Sequence, residues 1–207
     1  MMLNLRSCLI VVAIAAFAAC SGSSRLSAPG EAVFTKRNLE VDVFLARGFL
    51  GGSEYERYYA KDGFLWRECG QLDEAPSPRS RRVSLEGDEV FPPDPGLIVK
   101  ERRVERLSNK QASFVASYAF DFVEAEQSSQ KQLPLPGSVY SLSQPGLLEI
   151  AVGLDGQEHR VVTSVDAVVE GETNALKGSL KLAEAMRGIG PVMCDAKTFY
   201  GIARKTP

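Results

Sequence analysis

The sequence predicts a mainly β domain of the α+β class: antiparallel hairpins forming a half-barrel or sandwich, with one C-terminal helix. Three observations carry that expectation. Short stretches alternate apolar and polar residues, turn residues interrupt them, and one late segment switches to helical spacing. Hydrophobic residues make up 44% of the 207 positions, which suits one domain with a proper core.

In "NLEVDVFLAR" (38–47), Leu39, Val41, Val43 and Leu45 share a face, with Glu40 and Asp42 opposite. "EYERYYAKDGFLWREC" (54–69) is two aromatic runs around Lys61-Asp62-Gly63, and Asp-Gly between such runs signals a tight hairpin. "GLIVKERRVERL" (96–107) and "QASFVASYAFDFV" (111–123) bracket Ser108-Asn109-Lys110 and read as a second hairpin. In its second arm Phe114, Ala116, Tyr118, Phe120 and Phe122 recur at period two. "GLLEIAVGLDGQEHRVVTSVDAVV" (146–169) is a third hairpin, turning at Asp155-Gly156. Thr173 or Asn174 caps a helix in which Leu176, Leu180, Ala183 and Met186 follow helical spacing and Gly188 closes. Gly178 inside it costs up to ~1 kcal/mol against Ala. A closing strand is expected over 193–203, and long loops at 71–80, 86–96 and 124–138.

Ahead of these elements, Cys8 to Ala19 is an uncharged apolar run preceded by Arg6 and followed by the polar, breaker-rich "SGSSRLSAPG" (21–30). It is shorter than the roughly 20 residues a membrane helix needs, and its layout is that of a secretory signal. Within it "FAAC" (17–20) resembles the lipobox of bacterial lipoprotein precursors: Ala18, Ala19 and Cys20 match, and Phe17 stands where Leu is usual. The resemblance implies a lipidated Cys20 after cleavage of a 1–19 signal peptide. Residues 20–30 then form a lipidated flexible tether, and 31–207 a single β-rich periplasmic domain. Ordinary cleavage before Ala19, with Ala16 and Ala18 as the small pair, is the alternative. Ser21 after the cysteine implies the outer membrane, facing the periplasm; the inner membrane or a soluble periplasmic form are the alternatives. A coil of this length spans under roughly 20 Å, so the domain stays near the lipid surface.

Of the four cysteines, Cys8 leaves with the signal and Cys20 is consumed by lipid. The even pair left, Cys69 and Cys194, reads as a disulfide in an oxidising compartment. Its long loop assigns it about 5 kcal/mol in the chain-entropy model.

Chemistry is sparsely signalled. With 24 cationic and 26 acidic residues, the net charge of −2 gives no electrostatic case for nucleic acid. His159, the sole histidine, follows a hairpin turn where a solvated ring is expected, and no Gly-x-Ser-x-Gly elbow accompanies it. Ser128-Ser129-Gln130-Lys131 matches Ser-x-x-Lys only formally, in a polar stretch. No catalytic residue, cofactor or metal is expected, and the chain reads as a non-enzyme. Tyr58, Tyr59 and Trp66 are the candidate ligand or partner surface, although Tyr58 and Tyr59 must face opposite ways in a strand. Lys100, Arg102 and Arg106 alternate with Val104 as the candidate contact for an anionic surface, interspersed with Glu101 and Glu105.

The expectation is a membrane-anchored envelope lipoprotein that binds or supports another envelope component, protein or lipid. The alternative is a carrier of lipid or another apolar ligand in a β half-barrel, and the third reading an envelope hydrolase.

Overall fold

The computed structural model describes residues 29–49, 52–72, 97–129, 146–165, 168, 173–194 and 202–207. Among them run α1 (Pro29–Lys36), β1 (Glu40–Phe49), β2 (Gly52–Lys61), β3 (Phe64–Leu72) and β4 (Leu97–Arg106). They are followed by α2 (Asn109–Ser129), β5 (Gly146–Leu154), β6 (Gln157–Ser164) and α3 (Asn174–Gly188). The strands form one open sheet in the order β4-β3-β2-β1-β5-β6, every neighbouring pair antiparallel. The α+β expectation with antiparallel hairpins and a C-terminal helix therefore holds. No described helix is long and apolar enough to cross a membrane.

Both Asp-Gly hairpins form as predicted. Asp62 and Gly63 have φ of 51° and 78°, Asp155 and Gly156 of 52° and 81°. Positive φ at both central residues matches the twist of the flanking strands. The Asp155 turn is tied back to the end of α1: the Asp155 amide donates to the Arg37 carbonyl at 2.9 Å, and the Arg37 Nε donates to its carboxylate at 2.9 Å.

Residues 109–129 overturn a prediction. The expected second arm of a hairpin is the 21-residue helix α2, so the C-terminal helix is one of three among the described residues. Its start is a capping box: the Gln111 amide donates to Ser108 Oγ at 3.3 Å, and the Ser108 amide to Gln111 Oε1 at 2.9 Å. The buried positions Ala112, Val115, Ala116, Ala119, Phe122, Val123 and Glu126 recur at three and four. Phe114 and Tyr118 meet edge-on at 5.0 Å, one turn apart. Ser128 sits in the last turn with its hydroxyl on the Ala125 carbonyl.

α3 starts as predicted, with Thr173 Oγ1 accepting from the Leu176 amide at 3.2 Å. Gly178 is where α3 lies against α2, since a Cβ there would stand 3.2 Å from the Ala125 Cβ. Met193 and Cys194 are not strand, and Ile202 makes an isolated bridge. Ala203 is not strand either, and 195–201 of the predicted closing strand lie outside the described residues. So do the remainders of the three loops (73–80, 86–96 and 130–138), the signal segment and Cys20.

Side chains of alternate parity give the sheet two unlike faces. Val41, Val43, Leu45, Leu65, Ile150 and Val152 join Val115, Ala119 and Phe122 of α2 and Leu182, Ala183 and Met186 of α3 in one core. Arg187, 1% exposed, is set in this layer. Its Nε donates to Glu56 Oε2 at 2.9 Å, another guanidinium nitrogen binds the Ile202 carbonyl, and Tyr58 Oη donates to the same Glu56 oxygen at 2.8 Å. Arg67, equally enclosed, donates to the Pro191 carbonyl at 2.7 Å and pairs with Glu105.

Breaking a buried ion pair leaves one uncompensated charge, so Arg187→Ala is expected to lower unfolding free energy by about 3–5 kcal/mol in guanidinium titrations. Replacing both partners, Arg187→Met with Glu56→Leu, is expected to recover most of the loss. A second expectation concerns pH. The hydrogen bond from Arg37 holds the Asp155 carboxyl below its ordinary value of 3.8. That contribution is complete above 3.8 and is lost as pH falls through the folded-state value. Asp155→Asn is therefore expected to be less stable than the parent above 3.8, with the difference closing below it, in denaturant titrations at both pH values.

Candidate functional site

The face of the sheet turned away from the helices carries charge and aromatic rings in register. One row runs Arg102–Glu68–Arg57–Phe44–Glu149–Val162 from β4 to β6, and the next Val104–Trp66–Tyr59–Asp42–Ala151–Arg160. Within and across these rows opposite charges close on each other. Arg57 bonds Asp42 twice, at 3.1 and 2.8 Å, Arg102 Nε lies 2.7 Å from Glu68, Lys61 lies 2.5 Å from Glu40, and Arg160 pairs with Glu149. Burial pushes the Asp42 carboxyl up from its ordinary value, and the Arg57 guanidinium opposes that shift. Tyr55 donates to Glu68 Oε1 at 2.9 Å and stacks on Phe44 at 5.7 Å; burial raises its phenol and that of Tyr59.

Toward β4 the face opens. Tyr59 is buried and meets the half-buried Trp66 at 5.5 Å, Trp66 meets Phe64 at 5.9 Å, and the Arg106 guanidinium caps Phe64 at 5.9 Å. Phe64 is 37% and Val104 55% exposed, with Arg102 and Arg106 exposed beside them. β4 closes one side of the sheet among the described strands, and Ile98 and Val99 are exposed further along it. The result is an apolar surface framed by guanidinium groups.

Two groups nominated separately in the sequence thus lie together: the aromatics Tyr59 and Trp66 and the cations Arg102 and Arg106. Two nominated residues do not join them. Tyr58, expected at a surface, faces the helices and is bonded inside the core to Glu56, because adjacent strand residues point opposite ways. Lys100 falls at a β-bulge: Cys69 pairs with Glu101 and Gly70 with Val99, which drops Lys100 out of alternation with Arg102. Gly70 admits the bulge, since a Cβ there would lie 2.0 Å from the Ile98 carbonyl oxygen.

The predicted disulfide is present, joining Cys69 of β3 to Cys194 with a Cα–Cα distance of 6.2 Å. Beside it the Cys194 amide donates to Glu101 Oε2 at 3.0 Å. His159, expected in solvent, is buried under α2 with its Nδ1 3.0 Å from Glu126 Oε2. The hairpin turn ends at Gly156, and β6 directs that side chain to the helix side with Val161. The partner Glu126 was hidden from the sequence because its stretch read as a loop.

Trp66 is the only tryptophan, so its fluorescence reads this surface alone. Phe64→Ala is expected to increase acrylamide quenching of Trp66 by uncovering the indole, whereas Tyr58→Phe, on the opposite face, is expected to leave it unchanged. The chain matches no protein-family model, and no curated protein matches its sequence.

Proposed function

We propose that this chain is a membrane-anchored envelope lipoprotein of accessory type, docking another envelope protein through the aromatic and guanidinium surface of β3 and β4. One observation carries the reading: Phe64 and Val104 stay exposed beside Arg102 and Arg106 at the side of the sheet, while Phe44, Tyr55, Arg57, Tyr59 and Glu68 on the same face are buried. Aromatic and arginine side chains dominate the energetics of protein interfaces. A strand at the side of a sheet offers backbone groups to a partner as well.

The lipobox-like "FAAC" supports an anchor at Cys20, and with it a place in the outer membrane facing the periplasm. Tethering raises the local concentration of the domain at that surface, so a modest patch suffices for engagement. The carrier reading is less favoured, because α2 and α3 fill the sheet face a ligand would use. Hydrolysis is less favoured too: Glu40, Asp42, Glu68 and Glu149 are each matched to a cation, the arrangement of a structural network.

Photocrosslinking in producing cells tests this. A crosslinker at position 104 is expected to capture one discrete envelope protein, and the same probe at the exposed Lys181 of α3 none. The captured species is expected in the membrane fraction and to move to the soluble fraction in Cys20→Ser. Equal capture from both positions, or lipid adducts only at 104, overturns the docking reading; a soluble parent protein overturns the anchor.

A further inference from the structure

Where β3, β4 and the turn after α3 meet, Cys69, Cys194 and Glu101 form a corner that the docking surface does not use. A sulfur of each cysteine and a carboxylate oxygen of Glu101 all lie within 4.8 Å of one another. We propose that this corner, once its disulfide is reduced, is a zinc-binding site with Cys69, Cys194 and Glu101 as ligands.

The scaffold suits that chemistry. Zinc takes thiolate at about 2.3 Å and carboxylate at about 2.0–2.2 Å, so tetrahedral ligands stand roughly 3.5–4 Å apart. The sulfurs must part while the carboxylate stays beside them, and the backbone anchors, 6.2 Å apart at Cα, allow it. Cys69 is fixed by strand pairing on both sides, opposite Glu56 on β2 and Glu101 on β4. The Glu101 carboxylate is held at the corner by the Cys194 amide, which donates to its Oε2 at 3.0 Å. Arg103 also pairs with Glu101, but that guanidinium is half exposed, and an exposed pair yields readily to a divalent ion. Two thiolates with one carboxylate favour zinc over calcium or magnesium. Three protein ligands leave the fourth position for water.

The exchange balances. A dithiol of the thiol–disulfide oxidoreductase class gives two electrons to the Cys69–Cys194 bond and becomes a disulfide, leaving two thiols. Zinc then binds and two protons leave. An oxidising protein disulfide reverses the sequence: the cysteine bond reforms, the oxidant becomes a dithiol, and zinc is released. The same residues thus alternate between a staple and a metal site, and the newly exported chain meets the envelope in its metal-competent state.

The test uses the full chain carrying Cys8→Ser and Cys20→Ser, so that only this pair of thiols remains. After phosphine reduction it is titrated with cobalt(II) as a spectroscopic stand-in, then with zinc against a chromophoric chelator. One equivalent of cobalt is expected to give a thiolate charge-transfer band that zinc abolishes, and the oxidised protein none. Glu101→Gln is expected to weaken zinc at least about tenfold. Cys69→Ser is expected to lose the band. Absence of the band in reduced protein with native circular dichroism overturns the proposal, as does equal zinc affinity in Glu101→Gln. If reduction unfolds the chain, zinc is expected to restore the native spectrum, and failure to do so overturns the proposal equally.

Discussion

The Arg187–Glu56 pair is the constraint around which the rest of the domain is arranged. It sits inside the apolar layer between sheet and helices, where a charge without a partner is costly, so each group requires the other. Arg187 comes from the last turn of α3 and Glu56 from the middle of β2, and the same guanidinium holds the Ile202 carbonyl. One side chain therefore sets where α3 crosses the sheet and where the following chain returns. Tyr58 completes the network from the neighbouring residue of the same face. Arg67 repeats the device two strand positions away, binding the carbonyl of Pro191. The disulfide adds a covalent tie at the same end of the molecule.

The opposite face solves a different problem. Its carboxylates and guanidiniums are largely buried, yet they are matched across strands, so the row of charges substitutes for an apolar layer. Such matching specifies register: sliding β1 against β2 by one residue would carry Asp42 to the other face and away from Arg57. Toward β3 and β4 the burial lessens, and Phe64 and Val104 face outward beside Arg102 and Arg106. The docking reading rests on that change in character along a single face.

The two Asp-Gly hairpins and the cap at Thr173 were legible because each depends on a few adjacent residues whose backbone preferences are strong. α2 was not. Its aromatics at 114, 118, 120 and 122 alternate as a strand would, while the face that packs is built from alanines at 112, 116 and 119, which weigh little in a hydrophobic pattern. The signal available was local: Ser108 with Gln111, a capping box immediately before the run. The site was legible in pieces. Trp66 and Arg106 were each noticed, but the register of β3 on β4 that brings them together spans a connection no periodicity reports. The burial of Arg187, Arg67 and Glu56 left no sequence signal, because burial of an ion pair depends on partners over a hundred residues away in sequence.

β1 lies between β2, its neighbour in sequence, and β5, which follows more than ninety residues later. During synthesis the chain emerges from its amino end, so the strands β1 to β4 are available to pair before β5. For that interval one flank of β1 presents its amides and carbonyls unpaired, a template for any extended chain that arrives before β5. Closure awaits α2 and the β5–β6 hairpin, a long-range step that is slow by its loop entropy. The topology thus concentrates aggregation risk in a single kinetic window, between the folding of the meander and the arrival of the second hairpin.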